Sequence, residues 1–109
     1  MKNMSLERVI ETLVRLGLSR SEAEVYVYLA NKGPHKAVSI AHVLRANKST
    51  AYDNLKKLQT KNLVTKNNAI YSALPFEQAL ELLIKREKKQ ANHFQESTKK
   101  LVATWKKDK

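Results

Sequence analysis

The sequence predicts a mainly α-helical fold with one small β-hairpin, followed by a single long C-terminal helix. Three observations predict it. Only two glycines and two prolines occur among 109 residues, of which 42% are apolar, so connections are short and most of the chain is helical. Four stretches before residue 62 repeat apolar side chains at helical spacing, whereas residues 63–72 hold two short apolar runs around Asn67-Asn68. After Pro75, Leu80, Ile84, Glu87, Ala91, Phe94, Thr98, Leu101 and Trp105 recur at alternating steps of four and three, a heptad seam imperfect at Glu87 and Thr98.

Each element follows from local chemistry. Ser5 is placed to cap a first helix with the apolar face Val9, Ile10, Leu13, Val14 and Leu16, and Gly17 ends it as a left-handed C-terminal residue. Ser19 or Ser21 caps a second helix, with Glu22 and Glu24 in its first turn, where the helix dipole favours carboxylates. Its buried face is expected to be Ala23, Val25, Tyr26, Leu29 and Ala30, and Lys32-Gly33-Pro34 stops it. An extended piece at residues 36–38 is an edge-strand candidate. Ser39 then caps a short helix to Arg45 that buries Ile40, Val43 and Leu44.

Asn47 breaks that helix and caps the next, in which Ala51, Leu55 and Leu58 fall within about 60° of one another and face the core. The opposite side presents Ser49, Asp53, Lys56, Lys57 and Thr60, with Thr50 and Tyr52 on the flanks. Asn62 closes this helix, and residues 63–66 and 69–72 form the hairpin around an Asn67-Asn68 loop, since asparagine tolerates positive φ. Pro75 suits the first turn of a helix over residues 76–106, roughly 45 Å long and more than a domain of this size buries alone. The chain thus divides into residues 1–74 and a helix at 75–109.

Charge bears on partners. Lys+Arg outnumber Asp+Glu by 21 to 10, a net +11, which favours polyanions, nucleic acid first and an anionic membrane surface second. The excess is steepest in residues 35–68, where seven basic residues face Asp53 alone. The absence of cysteine excludes disulfides and thiolate metal sites. Charges interrupt the amino end before any secretory-type apolar run, and no stretch approaches the roughly 18 to 20 apolar residues of a membrane span. A cytoplasmic protein is expected. His35, His42 and His93 sit in different elements with no carboxylate at metal-ligand spacing, and there is no glycine-rich phosphate loop or nucleophile–base cluster. No enzyme, metal or cofactor is expected.

Helix, turn, helix and hairpin over residues 37–73 is the order of a winged helix-turn-helix, which lays its second helix in the DNA major groove. Lys48, Lys56, Lys57 and Lys66 are the candidate phosphate contacts. Ser49, Thr50 and Tyr52 are the candidate base and methyl contacts, and Asp53, Asn67 and Asn68 complete the surface. In the last helix Leu80, Ile84, Ala91, Phe94, Leu101 and Trp105 are candidates for a homodimer interface, and the lysine runs are most simply its solvated outer faces.

With these residues in place, the chain resembles the DNA-binding domain of the TrmB family of archaeal and bacterial transcriptional regulators. Residues 16–33, LGLSRSEAEVYVYLANKG, are similar to the family's opening helix, and residues 48–55, KSTAYDNL, to its recognition helix with its Tyr-Asp pair. Leu63-Val64 and residues 71–80, YSALPFEQAL, match its wing and linker helix. Winged helices of the MarR and ArsR types share much of this pattern. The resemblance implies a transcriptional regulator that binds double-stranded DNA. Thr50 stands where relatives often carry arginine, which removes bidentate guanine readout at that position. Long relatives continue into a sugar-binding domain. Here only the helix follows the wing, so no small-molecule effector domain is evident and a dimer is expected. Two other readings fit the same pattern: a protein-interaction module of the transcription machinery, and a non-specific DNA-coating protein.

Overall fold

Residues 6–107 are described by the computed structural model; the Ser5 cap lies outside them. In chain order the elements are α1 (Leu6–Arg15), α2 (Arg20–Lys32), β1 (His35–Lys36), α3 (Ala37–Val43), α4 (Lys48–Thr60), β2 (Val64–Asn67), β3 (Ile70–Ala73) and α5 (Phe76–Lys107). The strands form an antiparallel sheet in the order β1-β3-β2, with Lys36 opposite Ile70 and Lys66 opposite Tyr71. This is a winged-helix architecture with a long closing helix.

Three helices end in the same way, and those endings set the path of the chain. After α1, α3 and α4 the chain passes through a left-handed residue: Gly17 (φ 111°), Arg45 (φ 55°) and Asn62 (φ 63°). In each case the next amide reaches back to the carbonyl five residues earlier: Leu18 to Leu13 (3.1 Å), Ala46 to Ala41 (2.9 Å) and Leu63 to Leu58 (3.0 Å). These are Schellman endings, which satisfy orphan carbonyls and pair an apolar residue beyond the helix with one in its last turn. Leu13, Leu18, Leu58 and Leu63 are all buried accordingly. Gly17 also lies against α5, where an added Cβ would stand 2.9 Å from Glu87 Oε1.

The core gathers Leu13 of α1, Tyr26 and Leu29 of α2, Ile40 of α3, Leu55 and Leu58 of α4, Leu63, and Leu83 of α5, all under 2% exposed. Tyr26 is the cross-link, its hydroxyl donating to the Leu74 carbonyl between the wing and α5. Burial pushes its pKa up to about 12. Ser19 caps α2 through a reciprocal capping box, accepting from the Glu22 amide (3.1 Å) while the Glu22 carboxylate accepts from the Ser19 amide (2.9 Å).

Several local expectations are corrected. In α1 Val14 faces solvent, and Leu18 beyond the helix is buried instead. In α2 Ala30 is exposed while Val27 is buried, because the sheet and α4 cover a wider arc of that helix than one stripe. Strand β1 is His35–Lys36, and α3 begins at Ala37 without a side-chain cap, so Ser39 lies inside it. Starting two residues early turns Ala37, Ile40 and Ala41 inward and leaves Val43 49% exposed. The hairpin loop is Asn68-Ala69, both with positive φ (51° and 70°), and Asn67 pairs with Ile70 inside the ladder. Positive φ at both central residues is the type I′ pattern that matches strand twist.

Candidate nucleic-acid interface

The two helices of the helix-turn-helix are joined by four residues. Arg45 provides the left-handed turn, and the Asn47 side chain accepts from the Thr50 amide at 2.7 Å, capping α4. Side-chain and backbone chemistry therefore set where α4 begins, and Lys48, Ser49 and Thr50 form its first turn. Ala51, Leu55 and Leu58 pin the inner face at 2% exposure or less. The helix is held against α2 and α3, and among the described residues no element covers its outer face.

All ten residues proposed for the surface are exposed. Lys48, Ser49, Thr50, Tyr52, Asp53, Lys56 and Lys57 share α4, with Tyr52 48% exposed despite its size. Lys66, Asn67 and Asn68 lie at the outer half of the wing. Lys66 Nζ sits 5.6 Å from the centre of the Tyr71 ring directly across the hairpin, a cation–π contact that steadies the ammonium along the wing. The Asp53 side chain makes no hydrogen bond or ion pair among the described residues. It does not anchor Tyr52 or a lysine within the protomer.

Two further features complete the site. Asn54, the one amide of α4's first two turns able to pair with adenine in the bidentate manner, is 7% exposed and faces inward. The second is an ion pair fastening the far end of the recognition helix: Lys61 Nζ lies 2.6 Å from Glu22 Oε2, at 17% and 4% side-chain exposure. Burial opposes ionisation of Glu22, but the Lys61 ammonium and the Ser19 hydrogen bonds hold its pKa below the usual carboxylate value. One carboxylate thus caps α2 and ties it to the end of α4. The Ser-x-x-Glu spacing signals the cap, but no local pattern signals the partner 39 residues away.

On α5, Leu80 is partly buried against the domain core, whereas Phe94, Leu101 and Trp105 are 72%, 71% and 62% exposed. Among the described residues no group of three or more histidines and carboxylates is placed to hold a metal ion. No described helix is long and apolar enough to cross a membrane.

Comparison with known proteins agrees with this geometry. The family model of the sugar-specific transcriptional regulator TrmB matches residues 13–77, more than half the chain. The structure is similar to that of TrmBL2, described as an archaeal chromatin protein with a novel mode of DNA binding, at TM-score 0.75 and 26% identity. That likeness covers 89% of this chain and 39% of TrmBL2, so the chain spans well under half of that protein's length. The fold is also shared with the transcriptional regulator Tm0710 from Thermotoga maritima (TM-score 0.58, 17% identity, covering 94% and 82% of the two chains). A possible transcriptional regulator from Methanosarcina mazei is similar in the same degree (TM-score 0.58, 18% identity, 91% and 90%). No curated protein matches the sequence. With α4 capped, exposed and flanked by a wing, and the family model spanning the whole helix-turn-helix, the chain belongs to the TrmB family of transcriptional regulators and has its DNA-binding winged-helix fold.

Proposed function

We propose that the chain acts as a homodimer that inserts residues 48–57 of each protomer into successive major grooves, with half-sites about one helical turn, near 34 Å, apart. The observation that carries this reading is the outer face of α4, where three lysines, two hydroxyls and Tyr52 stand exposed on a helix fixed at both ends. Lys48, Lys56, Lys57 and Lys66 neutralise phosphates. Ser49, Thr50 and Tyr52 meet base edges and thymine methyls, and the wing's Asn67 and Asn68 reach the adjacent backbone or minor groove. Asp53 is accommodated beside phosphate by the lysines on the same face.

The second copy is required because one protomer offers few contacts. Its docking face is the α5 seam, where Phe94 and Leu101 stand clear of the domain and add apolar area that a lone protomer would leave in water. A salt titration of duplex binding is expected to give a log–log slope steeper than about −4, and substituting Lys48, Lys56 and Lys57 with alanine to make it shallower. Weak, salt-insensitive binding would contradict the reading.

A second reading, a sequence-indifferent DNA coat, is favoured by two observations. The structure resembles an archaeal chromatin protein, and α4 exposes no arginine, glutamine or asparagine among its first two turns. Equal affinity for unrelated duplexes would select it.

A further inference from the structure

The lysines of α5 are not scattered around the helix. At 3.6 residues per turn, Lys85, Lys88, Lys89, Lys99, Lys100 and Lys106 fall within an arc of about 120°, with Glu96 the one carboxylate in that arc between them. The apolar seam occupies an arc of about 100° on the opposite side. All six lysines are exposed, and none makes an ion pair among the described residues. The stripe runs roughly 32 Å, close to one turn of a DNA duplex. Its inner end meets Lys61 and Asn62, at the end of α4, in an open groove of about 520 Å³ that Arg86 and Asn92 also border. That groove lies some 20 Å along α4 from Lys48, so it is a different surface from the recognition face.

We infer that this stripe is a second DNA-binding surface, taking the phosphodiester backbone of a duplex along the outer face of α5. A merely solvated face has no need to set Lys85 three and four residues before Lys88 and Lys89, because like charges at those spacings repel along a helix. A polyanion relieves that repulsion. The continuation of the stripe beyond the groove to Lys106 favours an extended backbone over a compact phosphorylated ligand. A dimer closed through the seam leaves both stripes facing outward. The inference rests on the reading that the chain binds DNA, but not on the recognition helix entering the groove.

The test uses the full chain with Lys85, Lys88, Lys89, Lys99 and Lys100 all changed to glutamine, beside a second variant with the same five changed to arginine. Binding to a random-sequence duplex is followed across salt concentrations, with helicity monitored by circular dichroism. The glutamine variant is expected to keep its helicity and any sequence preference while its log–log salt slope becomes shallower by about 3 or more; the arginine variant keeps the original slope. A glutamine variant with an unchanged slope overturns the inference, as does an arginine variant that loses slope equally. If Lys48, Lys56 and Lys57 to alanine lowers the slope and the stripe variant does not, the recognition reading stands and the stripe fails. The reverse result leaves the stripe and removes the recognition helix.

Discussion

Within α5, residues 76–83 place Ala79 and Leu83 in the core and pack Phe76 and Leu80 against it, while residues 84–107 bury nothing. The heptad seam starts in the inner part at Leu80 and continues through the outer part from Ile84 to Trp105. The inner part is stabilised by tertiary contacts with its own protomer. Beyond Glu87, which stands against Gly17, the outer part is held chiefly by hydrogen bonds within the helix, among them Thr98 and Thr104 donating to the Phe94 and Lys100 carbonyls, and it exposes Phe94 and Leu101. A periodic apolar seam therefore specifies that a helix has a face, and the position of the domain decides which residues of that face are already covered. The contrast predicts two kinds of mutational behaviour: changes in the packed region alter protomer stability at any concentration, and changes beyond it alter association.

The largest effect belongs to the packed region. Leu55→Ala removes a fully buried side chain from under the recognition helix and is expected to cost about 2–5 kcal/mol in denaturant unfolding, independent of protein concentration. Leu101→Asp is the matching probe outside it. It is expected to weaken self-association at least about 30-fold in sedimentation experiments while leaving the protomer's circular dichroism unchanged at low concentration. A loss of protomer fold in Leu101→Asp would erase the contrast.

The Glu22–Lys61 pair sharpens it from the packed side. Glu22→Ala removes the carboxylate half of the α2 capping box and the partner of a largely buried ammonium, and is expected to cost about 2–3 kcal/mol. Because the folded pKa of Glu22 is depressed, its contribution is fully present above the ordinary carboxylate pKa near 4.5 and is lost as pH falls through the lower folded value. Acid unfolding followed by circular dichroism checks this, with Glu22→Ala showing a weaker dependence in that window. The smallest effect is expected at the wing. Ala69 adopts φ 70°, so Ala69→Gly relieves left-handed strain and raises stability by about 0.5–1 kcal/mol, read as a shift in the thermal midpoint.

How much of this was legible in the sequence differs by residue. The inner stripe Ala51, Leu55 and Leu58, the Asn47 cap and the Asn62 ending all follow from spacing and side-chain chemistry within a few residues, and all occur as expected. The Arg45 turn does not, because arginine carries no local preference for positive φ and is held there by the Schellman hydrogen bonds around it. The hairpin loop was displaced by one residue since asparagine at 67 and 68 satisfies either register, and the pairing of Asn67 with Ile70 settles the choice. Within the surface, the exposed side of α4 was readable from periodicity. The inward turn of Asn54 follows from the same periodicity, since it lies about 40° from Leu58 around the helix, whereas the reach of Glu22 to Lys61 depends on how α2 and α4 cross, which no local pattern encodes.

A paired recognition helix that reads DNA leaves its two-fold symmetry in the duplexes it selects. The most direct measurement is selection of bound duplexes from a random pool by the full chain. Paired recognition helices are expected to enrich an inverted repeat whose half-sites are centred about one helical turn, roughly 10 to 10.5 base pairs, apart. A pool that emerges without sequence enrichment, or with a single unrepeated half-site, would contradict it.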